Sequence, residues 1–384
     1  MSNNSLAYNI LIECCSSNID VDKLNRYLDS YNNWDKLFYS ANKHGVLPLV
    51  YKSLKNKNVI IPKNVLLDIK QSYISIVKNN MVISAELVRI FKLFKIHNID
   101  AVALKGPTLS QLIFSDNTVR QYSDLDILIE KNLLYSTTEM LIQNDYKLDF
   151  SIKFLRNEKY LEVEKHIHLY NKSANVLVEL HWKLSTIKNI NSSFSNYYQQ
   201  VMLNNQAINT FNNESLLIYL CIHGSKHFWS RLEWVVDIDR LILNNSDIDW
   251  SYIQDKVNLV NANRVFYTGL LVVNHMFKTP LPENMQNEIN KNRDINLIKE
   301  SIIKSLIDDI KNTKENAPLS IEANKILDIL IKNKHNTFKF TLRNMYNLKP
   351  STILLVNFPK YLSFGYYVIH LYIIIIRLLK KIKI

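Results

Sequence analysis

Tight turns must be rare in this chain, because its 384 residues include only 5 glycines and 8 prolines. Sheets built from short hairpins rely on these two residues at their turns. The composition therefore predicts a mostly helical protein. Hydrophobic residues make up 47% of the chain, which suffices for one large or two modest cores and excludes a disordered chain.

Basic residues outnumber acidic ones by 47 to 35, giving a formal net charge of +12. This balance suits a polyanionic partner: a nucleoside triphosphate, a nucleic acid or an anionic membrane face. The three cysteines, Cys14, Cys15 and Cys221, do not form the pattern of a disulfide framework. The N-terminal residues MSNNSLAYN lack the features of a signal peptide, so we expect a cytoplasmic location.

Helical and extended patterns alternate along the chain in a definite order. Apolar residues at helical spacing predict short helices over 5–58 and a long helix from Pro62 to about Ile99. Next come strands predicted at 101–104, 122–130, 160–171 and 175–182, with helices at 107–114 and 131–143. Further helices are predicted at about 190–205, 214–245, 250–278, 296–312 and 320–333.

This order predicts an α+β fold, in which a small mixed sheet is flanked by largely helical regions at both ends. We expect three successive regions: an N-terminal helical region at 1–98, a mixed core at 99–185, and a C-terminal helical region at 186–384. The core is the part that carries residues with an evident chemistry.

Asp124 and Asp126 lie two residues apart in a strongly alternating strand, so both carboxylates point to one face. Like charges this close repel unless a cation lies between them. Magnesium takes hard oxygen ligands and is often shared between carboxylates and substrate phosphates. Glu179, in the middle of a neighbouring predicted strand, is the best candidate for a third carboxylate. Two ions in such a site can clamp the attacking and leaving oxygens of an in-line displacement.

A glycine turn precedes this strand. The segment LKGP, at 104–107, leaves one predicted strand and enters a helix. Gly106 would let the backbone approach a phosphate closely, and the helix N-terminus favours an anion. Lys105 and Arg120 could contact the phosphates, although each could equally be an ordinary surface cation.

Taken together, these motifs resemble the DNA polymerase β-like nucleotidyltransferases. More narrowly, LKGPTL, RQYSDLDILI, VELHW and CIHGSKHFWSRLEWVVDIDRL resemble the bacterial branch described as uncharacterised nucleotidyltransferases, over about residues 35 to 245. The resemblance implies that Asp124, Asp126 and Glu179 bind two Mg²⁺ ions, and that Gly106 is the turn glycine.

The resemblance implies transfer of a nucleoside monophosphate from an NTP, with ATP expected, to an acceptor such as a peptide natural product or polysaccharide precursor. Pro107 departs from the pattern, because a glycine or serine usually follows the turn glycine and proline has no N–H. Thr108 could supply the missing hydroxyl. Two alternatives stay open: a non-catalytic nucleotide-binding scaffold or sensor, and toxin-like nucleotidyl transfer to RNA or protein. No dedicated nucleic-acid-binding module is evident in the sequence.

A polar segment at 223–237 interrupts an otherwise apolar helical region. His223 and His227 are four residues apart, and Lys226 between them could reach a triphosphate. Trp229 and Trp234, in the same segment, could stack on a base. Upstream, His166 and His168 alternate on a strand and could line the cleft near Glu179. For all these histidines a structural role is the alternative.

The chain ends in an uncharged apolar run followed by RLLKKIKI. Residues 361–379 predict a helix that is apolar on every side over Ile373 to Ile376. Such a helix must be buried in protein or lipid. We expect it to pack on the protein core, with peripheral contact to an anionic membrane as the first alternative and a membrane span as the second.

Overall fold

The computed structural model describes residues 3–56, 58–184, 198–311 and 347–382, and it has the predicted α+β architecture. Within the described residues, five helices precede the sheet. The side chains of Asp20 and Asn33 cap the second and third of them by accepting backbone N–H bonds. These helices are α1 (Asn3–Cys15), α2 (Val21–Asp29), α3 (Trp34–Lys43), α4 (Leu47–Leu54) and α5 (Lys63–Ile96).

A five-stranded mixed sheet forms the centre of the chain. Its strands are β1 (Ala101–Ala103), β2 (Asp124–Ile129), β3 (Tyr146–Leu148), β4 (His166–Asn171) and β5 (Val176–His181), in the spatial order β1-β2-β5-β4-β3. The pair of β2 and β5 is parallel, and the other pairs are antiparallel. The connections contain α6 (Pro107–Phe114), α7 (Leu134–Gln143) and α8 (Glu158–Val163), with 3-10 turns at Lys131–Leu133 and Ile152–Arg156.

The first part of one predicted strand is a helix. Residues 160–163 belong to α8, whereas the strand was expected to begin at 160. The side chain of Asn157 accepts a hydrogen bond from the backbone N–H of Tyr160 at 3.1 Å, which starts a helical turn. The alternation of Leu161 and Val163 with glutamates suggested a strand, but this cap decides the local conformation.

A second correction concerns the helix predicted at about 190–205. Residues 190–197 lie outside the described part of the chain, and 198–203 form a strand. This strand, β6 (Tyr198–Leu203), pairs antiparallel with β7 (Gln206–Phe211) as a separate two-stranded sheet. Asn204 and Asn205 make the turn, with φ values of 47° and 61°. Asparagine tolerates this left-handed conformation better than most residues.

Two of the predicted C-terminal helices are each divided into two shorter ones. The pattern at 214–245 breaks where Phe228 and Trp229 take positive φ values, and the pattern at 250–278 breaks at Asn261. The helix predicted at 320–333 lies outside the described residues. The described helices are α9 (Asn213–Lys226), α10 (Leu232–Leu243), α11 (Trp250–Leu259), α12 (Asn263–Phe277), α13 (Glu283–Lys291), α14 (Arg293–Lys311), α15 (Pro350–Ile353) and α16 (Gly365–Ile382), with a 3-10 turn at Lys360–Leu362.

The buried apolar residues in the described ranges form two clusters. One joins helices from both ends of the chain, from Leu6 in α1 to Leu306 in α14. The other joins the second half of α5 to one face of the five-stranded sheet, including Leu125 and Ile127 of β2. The opposite face of that sheet is therefore left for polar side chains. The helices before the sheet and those after it share one core. The division of the chain into three regions, with boundaries at 98 and 185, therefore remains a prediction from the sequence.

The terminal helix α16 has one buried side. Tyr366 is fully buried, and its hydroxyl accepts hydrogen bonds from the Phe358 backbone N–H and the Asn157 side chain. Other apolar side chains of this region are exposed, including Tyr361, Phe364, Val368, Tyr372 and Ile375. In the described part of the chain, no helix is both long enough and apolar enough to cross a membrane.

Candidate active site

The three acidic residues predicted to bind metal lie on the same face of the sheet. Asp124 and Asp126 alternate along β2, and Asp126 is the register partner of Glu179 on the parallel strand β5. Directly paired residues point to the same side of a sheet. All three carboxylates therefore lie on the face opposite the one packed against α5.

Three histidines extend this polar face across the next strand. His181 follows Glu179 by two residues on β5, and the β4 residues His166 and His168 are the register partners of His181 and Glu179. The Nε2 atom of His168 lies 3.2 Å from Glu179 Oε1. The Nε2 atoms of His181 and His166 lie 3.3 Å and 3.8 Å, respectively, from the other oxygen of Glu179, Oε2. Three imidazoles thus surround one carboxylate.

Asp126 is the most buried of the three acids. Its Oδ2 lies 3.0 Å from Lys105 Nζ, and its Oδ1 lies 3.2 Å from His181 Nε2. Burial opposes ionisation, but the positive charge of Lys105 and the hydrogen bond from His181 outweigh it and hold the pKa of Asp126 well below its usual range. Burial and the negative charge of Asp126 raise the pKa of Asp124 to about 6. A bound cation would relieve this repulsion.

Glu179 is held as a carboxylate. Burial again opposes its ionisation, and hydrogen bonds from His168 and His181 overcome that effect and lower its pKa. His181 keeps a raised pKa despite its burial, because Asp126 and Glu179 both contact it. Burial and the neighbouring His181 lower the pKa of His166 to about 4. His166 is therefore a neutral imidazole with a free lone pair at neutral pH, which is the form that binds metal ions.

The glycine turn places Lys105 against these acids. Gly106 has φ 65° and ψ −130°, a conformation essentially restricted to glycine. A Cβ atom there would lie 3.6 Å from the backbone oxygen of Asp124, so the turn passes close to β2. The Leu104 N–H donates to the Asp126 carbonyl at 2.9 Å. The turn therefore aligns Lys105 and the start of α6 with the acidic residues.

Two residues that were predicted to contact phosphate, Thr108 and Arg120, form hydrogen bonds within the protein instead. Thr108 is fully buried and its hydroxyl donates to the Lys105 carbonyl at 3.0 Å, so it does not take the place of the missing glycine or serine. Arg120 is also buried, and its guanidinium donates to both carboxylate oxygens of Asp237 in α10 at 2.8 and 2.9 Å. This arrangement makes Arg120 a link between the sheet region and the C-terminal helices.

The end of α9 closes one side of the site. His223 Nε2 lies 3.5 Å from Lys105 Nζ, and the ring of His227 lies 5.1 Å from that of His223. Lys226 donates to the Leu184 carbonyl at 2.7 Å. Burial and the positive charges of Lys165 and Lys105 lower the pKa of Lys226 to about 7. The positive charges of Lys105, Lys165 and Lys226 repel one another, so a polyanion bound among the three side chains would be stabilised.

The two tryptophans predicted as base-stacking candidates differ in exposure. Trp229 is fully buried and packs against Gly224, where a Cβ atom would lie 2.5 Å from its Nε1. It cannot stack on a base. Trp234 is partly exposed, with its ring 5.3 Å from that of His223 in an edge-on arrangement. The candidate for stacking is therefore Trp234.

Comparison with known proteins decides the family. Residues 30–278 match the family described as "Uncharacterised nucleotidyltransferase". The chain belongs to this family. No curated protein is significantly similar in sequence. A solved structure, an antigenic nucleotidyltransferase-like protein from Paracoccidioides brasiliensis, is similar at 16% identity and a TM-score of 0.30, covering 50% of this chain and 91% of that one.

Two residues of the candidate site were not predicted from the sequence. His181 lies two residues after Glu179, so the alternation that grouped the aspartates also groups this pair. Lys165 precedes the first residue of β4, and its pKa is lowered by burial. Its electrostatic contact with Lys226 depends on packing between distant segments, for which the sequence carries no local signal.

Proposed function

We propose that the protein is a metal-dependent nucleotidyltransferase that uses an NTP, with ATP as the expected donor. An acceptor hydroxyl or phosphate attacks the α-phosphorus, the bond from that phosphorus to the oxygen bridging the α- and β-phosphates breaks, and pyrophosphate leaves with the electron pair. A hydroxyl acceptor releases its proton to solvent. The observation that carries this proposal is the placement of Asp124, Asp126 and Glu179 on one sheet face beside Lys105.

The donor set fits divalent cations. Asp124 and Asp126 offer the hard oxygen ligands that Mg²⁺ prefers, and burial together with the negative charge of Asp126 raises the pKa of Asp124 despite the nearby Lys105 and Arg120. Glu179 is the third ligand in this assignment. Bound divalent ions would neutralise charge on the phosphates and help to orient the attacking and leaving oxygens.

The chain's own cations complete the phosphate site. Lys105, Lys165 and Lys226 are close enough for their charges to interact, and they flank Asp126 and Glu179. We assign them to the triphosphate, together with the backbone at Gly106 and the start of α6. Because Thr108 is buried and Arg120 is paired with Asp237, neither is given a direct phosphate contact.

Glu179 has an orienting role in this proposal. Its pKa is lowered by His168 and His181, which makes it a weak base for the acceptor's proton. Most of the rate enhancement would therefore come from positioning and charge neutralisation. The acceptor we expect is a peptide natural product or a polysaccharide precursor. Toxin-like transfer to RNA or protein, or a non-catalytic role as nucleotide-binding scaffold or sensor, are the alternatives to be tested.

Nucleotide binding tests this assignment directly. We expect Mg²⁺ to strengthen ATP binding strongly in the native protein, measured by calorimetry, and to have no effect in the double variant Asp124→Asn/Asp126→Asn. The matched control is Asp22→Asn/Asp35→Asn, which removes the same charge at two exposed positions. Equal Mg²⁺-dependent binding by native protein and the Asp124/Asp126 variant would overturn the metal assignment.

The exposed side of α16 gives the membrane alternative a defined surface. Exposed apolar side chains lie just before this helix, at Tyr361 and Phe364, and within it, at Val368, Tyr372 and Ile375. The sequence that follows, RLLKKIKI, is basic. We propose peripheral contact with anionic lipid there. Co-sedimentation with anionic vesicles that falls with added salt supports this contact. An absence of co-sedimentation at low salt contradicts it.

A further inference from the structure

We propose that the metal position beside Glu179 is selective for a divalent transition metal such as Zn²⁺, with His166, Glu179 and His181 as its protein ligands. Ligand atoms of these three residues lie within 4.8 Å of one another on the polar face of the sheet. This inference refines the proposed function, which assigns Glu179 to a metal, by naming the class of ion.

Ligand chemistry separates this position from the one at the aspartates. Magnesium binds oxygen ligands and rarely takes imidazole, whereas imidazole suits zinc and other first-row transition metals. The trio of His166, Glu179 and His181 matches the two-histidine, one-carboxylate set of catalytic zinc sites, which keep a further position open. Asp124 has no histidine as a register partner, since it pairs with Leu177.

The spacing of the ligand atoms also fits one small ion. Two atoms bound at about 2.0–2.1 Å to a tetrahedral ion are about 3.3–3.4 Å apart. The Nε2 atoms of His181 and His166 lie 3.3 Å and 3.8 Å from the same oxygen, Oε2 of Glu179. The longer distance exceeds that of a hydrogen bond. His166 therefore points at Glu179 without bonding to it directly.

Supporting contacts hold the ligands in place. His168 Nε2 lies 3.2 Å from the other oxygen of Glu179, leaving Oε2 to face His166 and His181. The rings of His166 and His181 lie 4.7 Å apart across the β4–β5 pair. His168 is thus a partner of a metal ligand, and partners of this kind fix ligand orientation and affinity. Asp126 Oδ1 lies 3.2 Å from the Nε2 atom of His181, so Zn²⁺ binding to that nitrogen would displace the proton that His181 donates to Asp126.

The test measures Zn²⁺ binding to metal-free full-length protein without nucleotide, by calorimetry and by the visible spectrum of the Co²⁺ form. We expect Zn²⁺ to bind at a site from which Mg²⁺ does not displace it. The visible spectrum of the Co²⁺ form should be typical of an ion with four or five ligands, some of them nitrogen. The variant His166→Gln/His181→Gln should lower Zn²⁺ affinity at least about 100-fold, since even indirect partners of metal ligands contribute roughly 10–100-fold.

The matched control is His97→Gln/His275→Gln, which removes two histidines elsewhere and should bind Zn²⁺ as the native protein does. Circular dichroism would confirm that each variant is folded. Equal Zn²⁺ affinity in native protein and the His166/His181 variant, or displacement of Zn²⁺ by equimolar Mg²⁺, would overturn the inference. Because no nucleotide is present, this result is independent of the Mg²⁺–ATP binding test. Asp124→Asn should keep its Zn²⁺ binding while losing Mg²⁺-dependent ATP binding.

Discussion

Asp126 and Glu179 are register partners on parallel strands, and the Nε2 atom of His181 lies 3.2 Å from an oxygen of the first and 3.3 Å from an oxygen of the second. One imidazole therefore bridges two carboxylates that belong to different strands. Burial alone would lower the pKa of His181, but its hydrogen bonds to Asp126 and Glu179 and their negative charges outweigh this effect and raise the pKa. His181 thus links the two acidic residues on a partly buried sheet face.

The Arg120–Asp237 pair is expected to stabilise the fold. Both side chains are buried, and breaking such a pair leaves an unpaired charge that costs about 3–5 kcal/mol. We predict that Arg120→Met lowers the free energy of unfolding by this amount in chemical denaturation. The double variant Arg120→Met/Asp237→Leu should recover most of the loss. A stable Arg120→Met protein that has lost ATP binding would instead make Arg120 a substrate ligand.

Gly106 is expected to be required for its backbone conformation. A Cβ atom would have space, since its nearest neighbour would be the Asp124 carbonyl at 3.6 Å, but φ 65° with ψ −130° strains any other residue. We predict that Gly106→Ala lowers the free energy of unfolding by about 1–3 kcal/mol and weakens ATP binding.

A control is available at the other end of the same helix. Ser115 has φ 52° and lies in the left-handed region at the C-cap of α6, where glycine is favoured. Ser115→Gly should therefore leave the stability unchanged or raise it. If Gly106→Ala unfolds at the same denaturant concentration as the native protein, the strain argument is wrong.

Lys226 should make the stability depend on pH. Burial and the charges of Lys165 and Lys105 lower its pKa from 10.5 to about 7, although Asp126 and Glu179 act in the opposite direction. Between about pH 7 and 10 the unfolded chain then binds more protons at this lysine than the folded chain does. The contribution of Lys226 to the free energy of unfolding should therefore rise with pH across this window.

Comparison with Lys226→Met isolates this effect. Methionine has similar length and no charge, so the stability of the variant relative to the native protein should be greatest near pH 7 and should decline towards pH 10. Unfolding free energies measured by denaturation at several pH values give this difference. A constant difference across the window would show that the pKa of Lys226 is not lowered.

Local patterns in the sequence predicted much of the core. Alternation located β2 and β5, and the glycine turn with Pro107 at the first helical position located α6. The β6–β7 hairpin was missed because the scarcity of glycine favoured a helical interpretation of residues 190–205. Asn204 and Asn205 can adopt the positive φ values that such a turn needs, so this pair between two alternating segments was the available signal.

Contacts between distant segments could not be predicted in the same way. Arg120 and Asp237 are 117 residues apart, and nothing near either residue specifies the other as its partner. The grouping of Lys105 with His223 likewise depends on how α9 packs beside the sheet. The sequence identified residue types suited to phosphate and metal, whereas the fold determines which of them face the site.

The central claim is tested most directly by following the phosphates of the donor. Purified protein with Mg²⁺ and cell extract is supplied with ATP radiolabelled at either the α- or the γ-phosphate. We predict that the α-label becomes attached to an acceptor while the γ-label is released as pyrophosphate. Asp124→Asn/Asp126→Asn should transfer no label, and Asp22→Asn/Asp35→Asn should transfer it normally. Attachment of the γ-label to the acceptor, or undiminished α-label transfer by the Asp124/Asp126 variant, would contradict the account.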